Sequence, residues 1–393
     1  MSGRYTRKLS FNERLFVVGN KLSPPMMNQG VFEGKGVLDV EKWRAAVAAA
    51  SEANPGSRLV LRGMLGSCRW VDSGVAPPVI EIRNSGWSGN GWENAPFLKK
   101  PLDLKKGPTC EVLLLPDETM PRVIFRTHHA VMDGGGSFTW VFDVMRALRG
   151  EPCVGSRSAV TDTELAKSLD AGYRTPYPTE HLPPTGAIDG DEQGFIWRRI
   201  TLSGRPHNLL GQIAIIVARE AWKYSDGIVR FAIPVDMRQH QPKLLSTANL
   251  SYAVYIEVRK DTTPEQISAD IEQQLKEKRE AMLTKGDDLV RYIPIWLLTA
   301  AAKMIINKRK KRGLYSISGA LSNVGRIPLK LIRGGGWEAT AFYPIPPLSD
   351  YVPFFLLITG SEDRVEMILS LPNQLATNGR MDAVLNSLKT GIR

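Results

Sequence analysis

The stretch RTHHAVMDGGG, residues 126–136, decides how this chain is read. Two of the five histidines, His128 and His129, stand side by side. Asp133 follows, and Gly134, Gly135 and Gly136 come directly after it. An imidazole near its ordinary pKa of about 6.5 takes a proton from an amine or alcohol at neutral pH, and does so best when held in one tautomer. The alternation of Val123, Phe125 and Thr127 predicts a strand that delivers the histidines to a turn. The glycines would give that turn its backbone freedom and let a substrate come close. Ser137 would then cap a helix that buries Phe138, Val141, Met145 and Leu148. Asp133 could orient His129 directly or fold the turn by pairing with a distant cation, and the residues leave both open. The competing readings are a plain strand end and a fragment of a metal site. His181, His207 and His240 show no ligand spacing, so no metal is expected. By composition, HHxxxDG should arise by chance in roughly 3 of 10,000 such chains, which favours a catalytic role for the group.

Working outward, 393 residues are long for one core, so two domains are expected. Pro, Gly, Ser and Asp collect between about residues 149 and 194. The expected division is a first lobe over 1–175, a linker over 176–194 and a second lobe over 195–393. Both halves mix helices and strands. Val40, Trp43, Val47 and Ala50 recur at helical spacing, and TDTELAKSL reads as a short helix. In TTPEQISADIEQQL, Thr263 is the cap, Pro264 takes the first helical position and Gln266 completes a capping box. IVRFAIPV, YAVYIEV, PFFLLIT and RVEMILSL read as strands, and the stretch GGGWEATAFYPIPPL as a loop and strand near the domain interface. The fold class is therefore α/β (α+β).

Three scattered cysteines, Cys68, Cys110 and Cys153, exclude a disulfide framework and a CxxC metal site, and suit packing in a reducing cytosol. No apolar run reaches spanning length and no signal peptide is read, so a cytoplasmic location is expected. The net charge of +11 points to acidic partners without choosing among them. KRKKR at 308–312 follows IPIWLLTAAAKMII and reads first as the charged end of a buried helix. Docking of an acidic carrier protein or of coenzyme A phosphates, and peripheral contact with anionic lipid, are the alternatives. Lys99, Lys100, Lys105 and Lys106 read as solvent-facing. No RNP, zinc-finger or helix-turn-helix signature accompanies the charge, so nucleic acid is not expected.

HHxxxDG resembles the signature of the chloramphenicol-acetyltransferase-like superfamily, which includes condensation domains of nonribosomal peptide synthetases and the plant BAHD acyltransferases. LSFNERLF resembles that superfamily's opening segment, and PLDLKKGPTCEVLLL its approach to the motif. IPVDMR with TANLSYAVYIEVR resembles a second-domain strand and its Asn-containing motif. LSNVGRIPL sits where relatives carry a TNxG-like strand. The plant DFGWG motif is missing, which disfavours the BAHD subgroup.

The resemblance implies two chloramphenicol-acetyltransferase-like domains in a V-shaped pseudodimer with a tunnel at the interface. It implies a free-standing acyltransferase that joins an acyl thioester to a small amine or alcohol, forming an amide or ester in nonribosomal-peptide or polyketide-type biosynthesis. His129 would be the general base. Asp133 would pair with a second-domain arginine, for which Arg238 is the candidate. His128 would support the turn, with a possible reach to substrate, and Gly134 would let the loop turn. Gly135, Gly136, Ser322 and Asn323 are the candidate substrate or oxyanion contacts. No tightly bound cofactor is implied; the donor would be acyl-phosphopantetheine on an acidic carrier protein or acyl-CoA. The rival readings are an acyl-CoA-dependent alcohol O-acyltransferase of lipid assembly and a non-catalytic carrier-binding module.

Overall fold

The strand Arg122–His128 is buried at every residue, as a strand in mid-sheet must be when both its faces are covered. The computed structural model, which describes residues 4–175, 180–347, 349 and 352–393, places it at the centre of the first of two six-stranded sheets. It pairs antiparallel with Met27–Gly36 on one side and Cys110–Leu115 on the other. Val79–Glu81 runs parallel beyond Cys110–Leu115. Part of the expected linker, 176–179, and Leu348 lie outside the described residues.

The other edge of this sheet corrects the expected division of the chain. Trp337–Ile345 pairs antiparallel with Met27–Gly36, and Arg333–Gly334 follows it outward. These residues, expected in the second lobe, complete the sheet of the first. Hydrophobic register explains the crossing. Trp337 and Phe342 enter the first lobe's core beside Phe32, Trp43 and Trp140. Tyr343 and Ile345 face the other way, into a cluster shared with Trp197, Leu357 and Ile368 of the second sheet. A strand with apolar side chains on both faces can join two cores at once.

The second sheet runs Ser251–Val258, Val229–Asp236, Gly319–Arg326, Phe355–Gly360, Arg364–Pro372, Phe195–Ser203 in spatial order, with Gly319–Arg326 parallel to both its neighbours. The helices Leu209–Ala221 and Arg380–Gly391 bury Ile213, Val217, Val384 and Leu388 among Phe231, Leu356 and Met367 of this sheet. The helix Pro264–Lys276 starts as its sequence predicts, with Thr263 and Gln266 forming the box and Pro264 in the first turn.

Two helices depart from expectation. Gly134–Leu148 is capped by Asp133, whose carboxylate accepts the Gly136 amide, so the three glycines lie inside the helix and Ser137 follows its first turn. None of the three has a positive φ; they are not there for turn freedom. Ile295–Lys311, expected as a buried helix, has no buried residue. No helix among the described residues is long and apolar enough to cross a membrane.

Candidate active site

The strand Arg122–His128 ends where the two sheets meet, and the loop after it is fastened from both lobes. The His128 side chain is fully buried. Its Nδ1 accepts the Ala130 amide at 3.1 Å, and burial, with neighbouring His129, pushes its pKa down to about 3. A neutral ring with Nδ1 already engaged inside the loop has no reach to substrate. The expected reach of His128 to substrate is therefore corrected: its ring is enclosed in the loop that it supports. Arg7 adds a tie by donating to the Val131 carbonyl at 3.0 Å while pairing with buried Glu13 at 2.9 Å.

Asp133 forms the seam between the lobes. Its Oδ1 accepts the Gly136 amide at 2.7 Å. Its Oδ2 accepts the Leu250 amide at 2.7 Å and the Arg238 guanidinium at 3.0 Å. Arg238 donates further to Asp236 at 2.8 Å and to the Ser246 and Ala248 carbonyls at 3.0 and 2.6 Å. Burial works against the charge of this guanidinium, but the carboxylates of Asp133 and Asp236 more than offset it. The alternative in which Asp133 orients His129 by a direct hydrogen bond is not the arrangement found.

The glycines exchange the roles expected of them. A Cβ on Gly136 would stand 2.5 Å from the Thr247 carbonyl oxygen and 2.8 Å from that of Ala248. One on Gly135 would stand 2.4 Å from Asp236 Oδ2 and 2.9 Å from Arg238 Nη1. These two glycines let the second lobe's backbone and ion pair close on the helix, rather than holding substrate. Gly134, expected only to shape the loop, has open space where a Cβ would go and lines the cavity beside His129.

His129 is half-buried and is held on three sides. Its amide donates to the Met26 carbonyl at 3.0 Å. Its ring stacks on Phe16, centroids 4.0 Å apart and planes 9° from parallel. Buried Asn249 donates to its carbonyl at 2.7 Å, with the same nitrogen 3.2 Å from ring Nδ1. Burial lowers the ring's pKa, while its own backbone carbonyl and the charge of Asp133 pull the other way. Phe16 and Asn249 were not singled out from sequence, although LSFNERLF and TANLSYAVYIEVR contain them. A stacking partner and a second-lobe amide have no spacing rule relative to a motif more than a hundred residues away.

The ring lines a narrow cavity of about 130 Å³ between the lobes. Its walls are mostly apolar, with Phe32, Phe138 and Phe342 from the first sheet and its helix, and Phe355 and Leu357 from the second. Ser322 lines it too. Asn323, the adjacent candidate, does not: it is exposed, and its Oδ1 accepts the Gly325 amide at 2.9 Å. Alternation along a strand forces this, since neighbours face opposite sides.

No protein-family model matches the chain, and no curated protein does. Solved structures do match in fold. A starter condensation domain of rhizomide synthetase RzmA, crystallised as a variant with C8-CoA and Leu-SNAC, superposes with a TM-score of 0.67 at 12% identity, over 98% of this chain and 93% of that one. The epimerization domain from the third module of tyrocidine synthetase B gives 0.64 at 13% identity, over 99% and 96%. The condensation domain of the monacolin K polyketide synthase MokA gives 0.63 at 9%, over 98% and 95%. The chain thus has the condensation-domain fold, two chloramphenicol-acetyltransferase-like lobes that meet at the loop carrying His129.

Proposed function

We propose that this protein is an acyltransferase of the condensation type, with His129 as its general base. The observation that carries the reading is the placement of that ring: in an inter-lobe cavity, fixed by Phe16 and Asn249, and neutral because burial lowers its pKa. Fold by itself does not decide chemistry, since an epimerization domain shares it. In the tautomer whose Nδ1–H donates to the residue's own backbone carbonyl, Nε2 carries the lone pair. An amine or hydroxyl in the cavity gives its proton to Nε2 as it attacks a thioester carbonyl. A C–N or C–O bond forms, the tetrahedral oxyanion takes a hydrogen bond from the Ser322 hydroxyl, the C–S bond breaks, and the proton passes from His129 to the leaving thiolate. Nothing in this sequence needs an acyl-enzyme. Asp133 and Arg238 hold the lobes in register and stay out of the proton path.

An acyl-CoA donor is supported by the rhizomide neighbour, which binds C8-CoA, and the setting by neighbours from peptide and polyketide synthetases. A phosphopantetheine arm on a carrier protein presents the same thioester. The test is incubation with acyl-CoA and acyl-pantetheine thioesters against a panel of amines and alcohols, read by mass spectrometry. A new amide or ester that needs His129 is the expected result. His129→Ala should lose about 10²–10⁴ in turnover while remaining folded. Full turnover in that variant, or an epimerised substrate with no acyl transfer, overturns the proposal.

A further inference from the structure

A second feature has no part in the His129 chemistry. Three separate elements push large apolar side chains into water on one side of the molecule. They are the short turn Leu65–Ser67 with its flanking Met64, the segment Asp287–Tyr292, and the helix Ile295–Lys311. Met64 is 79% exposed, Trp296 68% and Met304 69%; Leu289 and Tyr292 project beside them. The elements are locked together: buried Arg14 donates to the Leu65 carbonyl at 3.0 Å and to the Ile293 carbonyl at 3.4 Å. Contiguous exposed apolar surface of this kind marks an interaction site.

The helix is polarised along its length. Its outward i, i+4 row reads Trp296, Ala300, Met304, Lys308, and every member is exposed. Lys303 and Lys311 flank that row, and the basic run continues to Arg312. Arg309 and Arg312 lie near Glu180, at 3.9 and 2.7 Å. Beside the first turn of the helix opens a groove of about 1040 Å³, walled by Val17, Leu61, Leu104 and Ile295, with Lys21, Arg62 and Lys105 among its lining. Lys21, Arg62 and Lys105 are exposed. Apolar projections thus sit next to cations at the helix end and at the groove, in a chain of net charge +11.

We propose that this face docks on an anionic phospholipid surface, with Trp296, Met304 and Met64 entering the headgroup–acyl boundary and the lysines meeting phosphate. Charge complementarity selects the occupant. Trp and Tyr at the rim of an apolar patch flanked by Lys and Arg is the composition that interfacial segments use. Side chains projecting from three elements suit a fluid interface, whereas a protein partner would need a matching concave surface for each. The groove gives room for one acyl chain with its headgroup beside Lys21 and Lys105.

The test is vesicle flotation of the full chain, comparing phosphatidylcholine with the same lipid containing roughly a third phosphatidylglycerol. Binding should favour the anionic vesicles and weaken at high salt. The pair Lys308→Glu and Lys311→Glu should lower anionic-vesicle binding by at least about tenfold. The pair Trp296→Ser and Met304→Ser should weaken it comparably, with an unchanged melting temperature, because these side chains touch solvent. Lipid-exposed Trp296 should also be quenched by brominated lipid, a signal that Trp296→Phe removes. Equal binding to neutral and anionic vesicles, or no binding to either, overturns the proposal. So does a concentration-dependent dimer that the Trp296 variant dissociates, or salt-sensitive capture of an acidic carrier protein in the absence of vesicle binding. None of these readouts uses turnover, so the outcome is separate from the role of His129.

Discussion

Two regions only a few residues apart in sequence are built on opposite rules. At the seam, buried Asp133 and half-buried Arg238 have partners on nearly every polar atom, and Gly135 and Gly136 let the opposing chain come within contact distance. At the cavity, His129 and Gly134 face aromatic walls with space left open. Rigidity is concentrated at the seam. The polar network fixes how the lobes meet, and the apolar cavity beside it keeps one imidazole neutral.

The largest effect on stability should come from Asp133→Ala, which leaves the half-buried Arg238 guanidinium with half its counter-charge and the buried Leu250 amide unpaired. Removal of one partner from a buried ion pair costs about 3–5 kcal/mol. Denaturant unfolding should register that loss together with reduced activity. An unchanged unfolding midpoint would mean that the seam does not hold the lobes.

Neighbouring glycines sharpen the contrast further. Gly136→Ala drives a methyl into the Thr247 and Ala248 carbonyls and should cost about 1–3 kcal/mol. Gly134→Ala meets nothing and sits in the first turn of a helix, so stability should hold or rise by up to about 1 kcal/mol. Gly134 lines the cavity, so any effect belongs in KM or acceptor choice. Thermal unfolding beside steady-state kinetics for the two variants separates the regions; a destabilised Gly134→Ala with an unaltered KM would contradict the division.

The smallest effect concerns pH. Burial favours the neutral form of His129, so its pKa falls below the ordinary 6.5. A base of depressed pKa is competent throughout neutral pH and is lost only as acid protonates it. kcat/KM should therefore be level near pH 7 and fall on the acid side with its midpoint under 6.5. A midpoint above that value would place a different group in the role.

Much of this was legible in sequence because it is local or carried by a motif. The strand before His128, the capping box at Thr263 and the candidate pairing of Asp133 with Arg238 all rest on short-range rules or on the resemblance. What stayed hidden depends on approach from afar. Ser137 looked like a cap because Gly-Gly-Gly looks like a loop; in the helix, the second lobe's backbone closes on Gly136 and the Asp236–Arg238 pair on Gly135, which leaves no room for side chains there. The apolar residues of Ile295–Lys311 looked like core, since hydropathy records what a side chain prefers and not whether anything covers it. Phe16 and Asn249 touch His129 only through tertiary packing.

The strand Trp337–Ile345 has a consequence for how the protein is made. During synthesis the first lobe emerges long before its missing edge does, and Met27–Gly36 must wait with unpaired amides and carbonyls until residue 345 leaves the ribosome. At about 5–20 residues per second that delay is on the order of tens of seconds. The chain therefore cannot mature one lobe at a time. A fragment stopping at the linker should display a sticky, open sheet margin and precipitate, whereas a circularly permuted chain that begins with this strand should let the N-terminal half mature early.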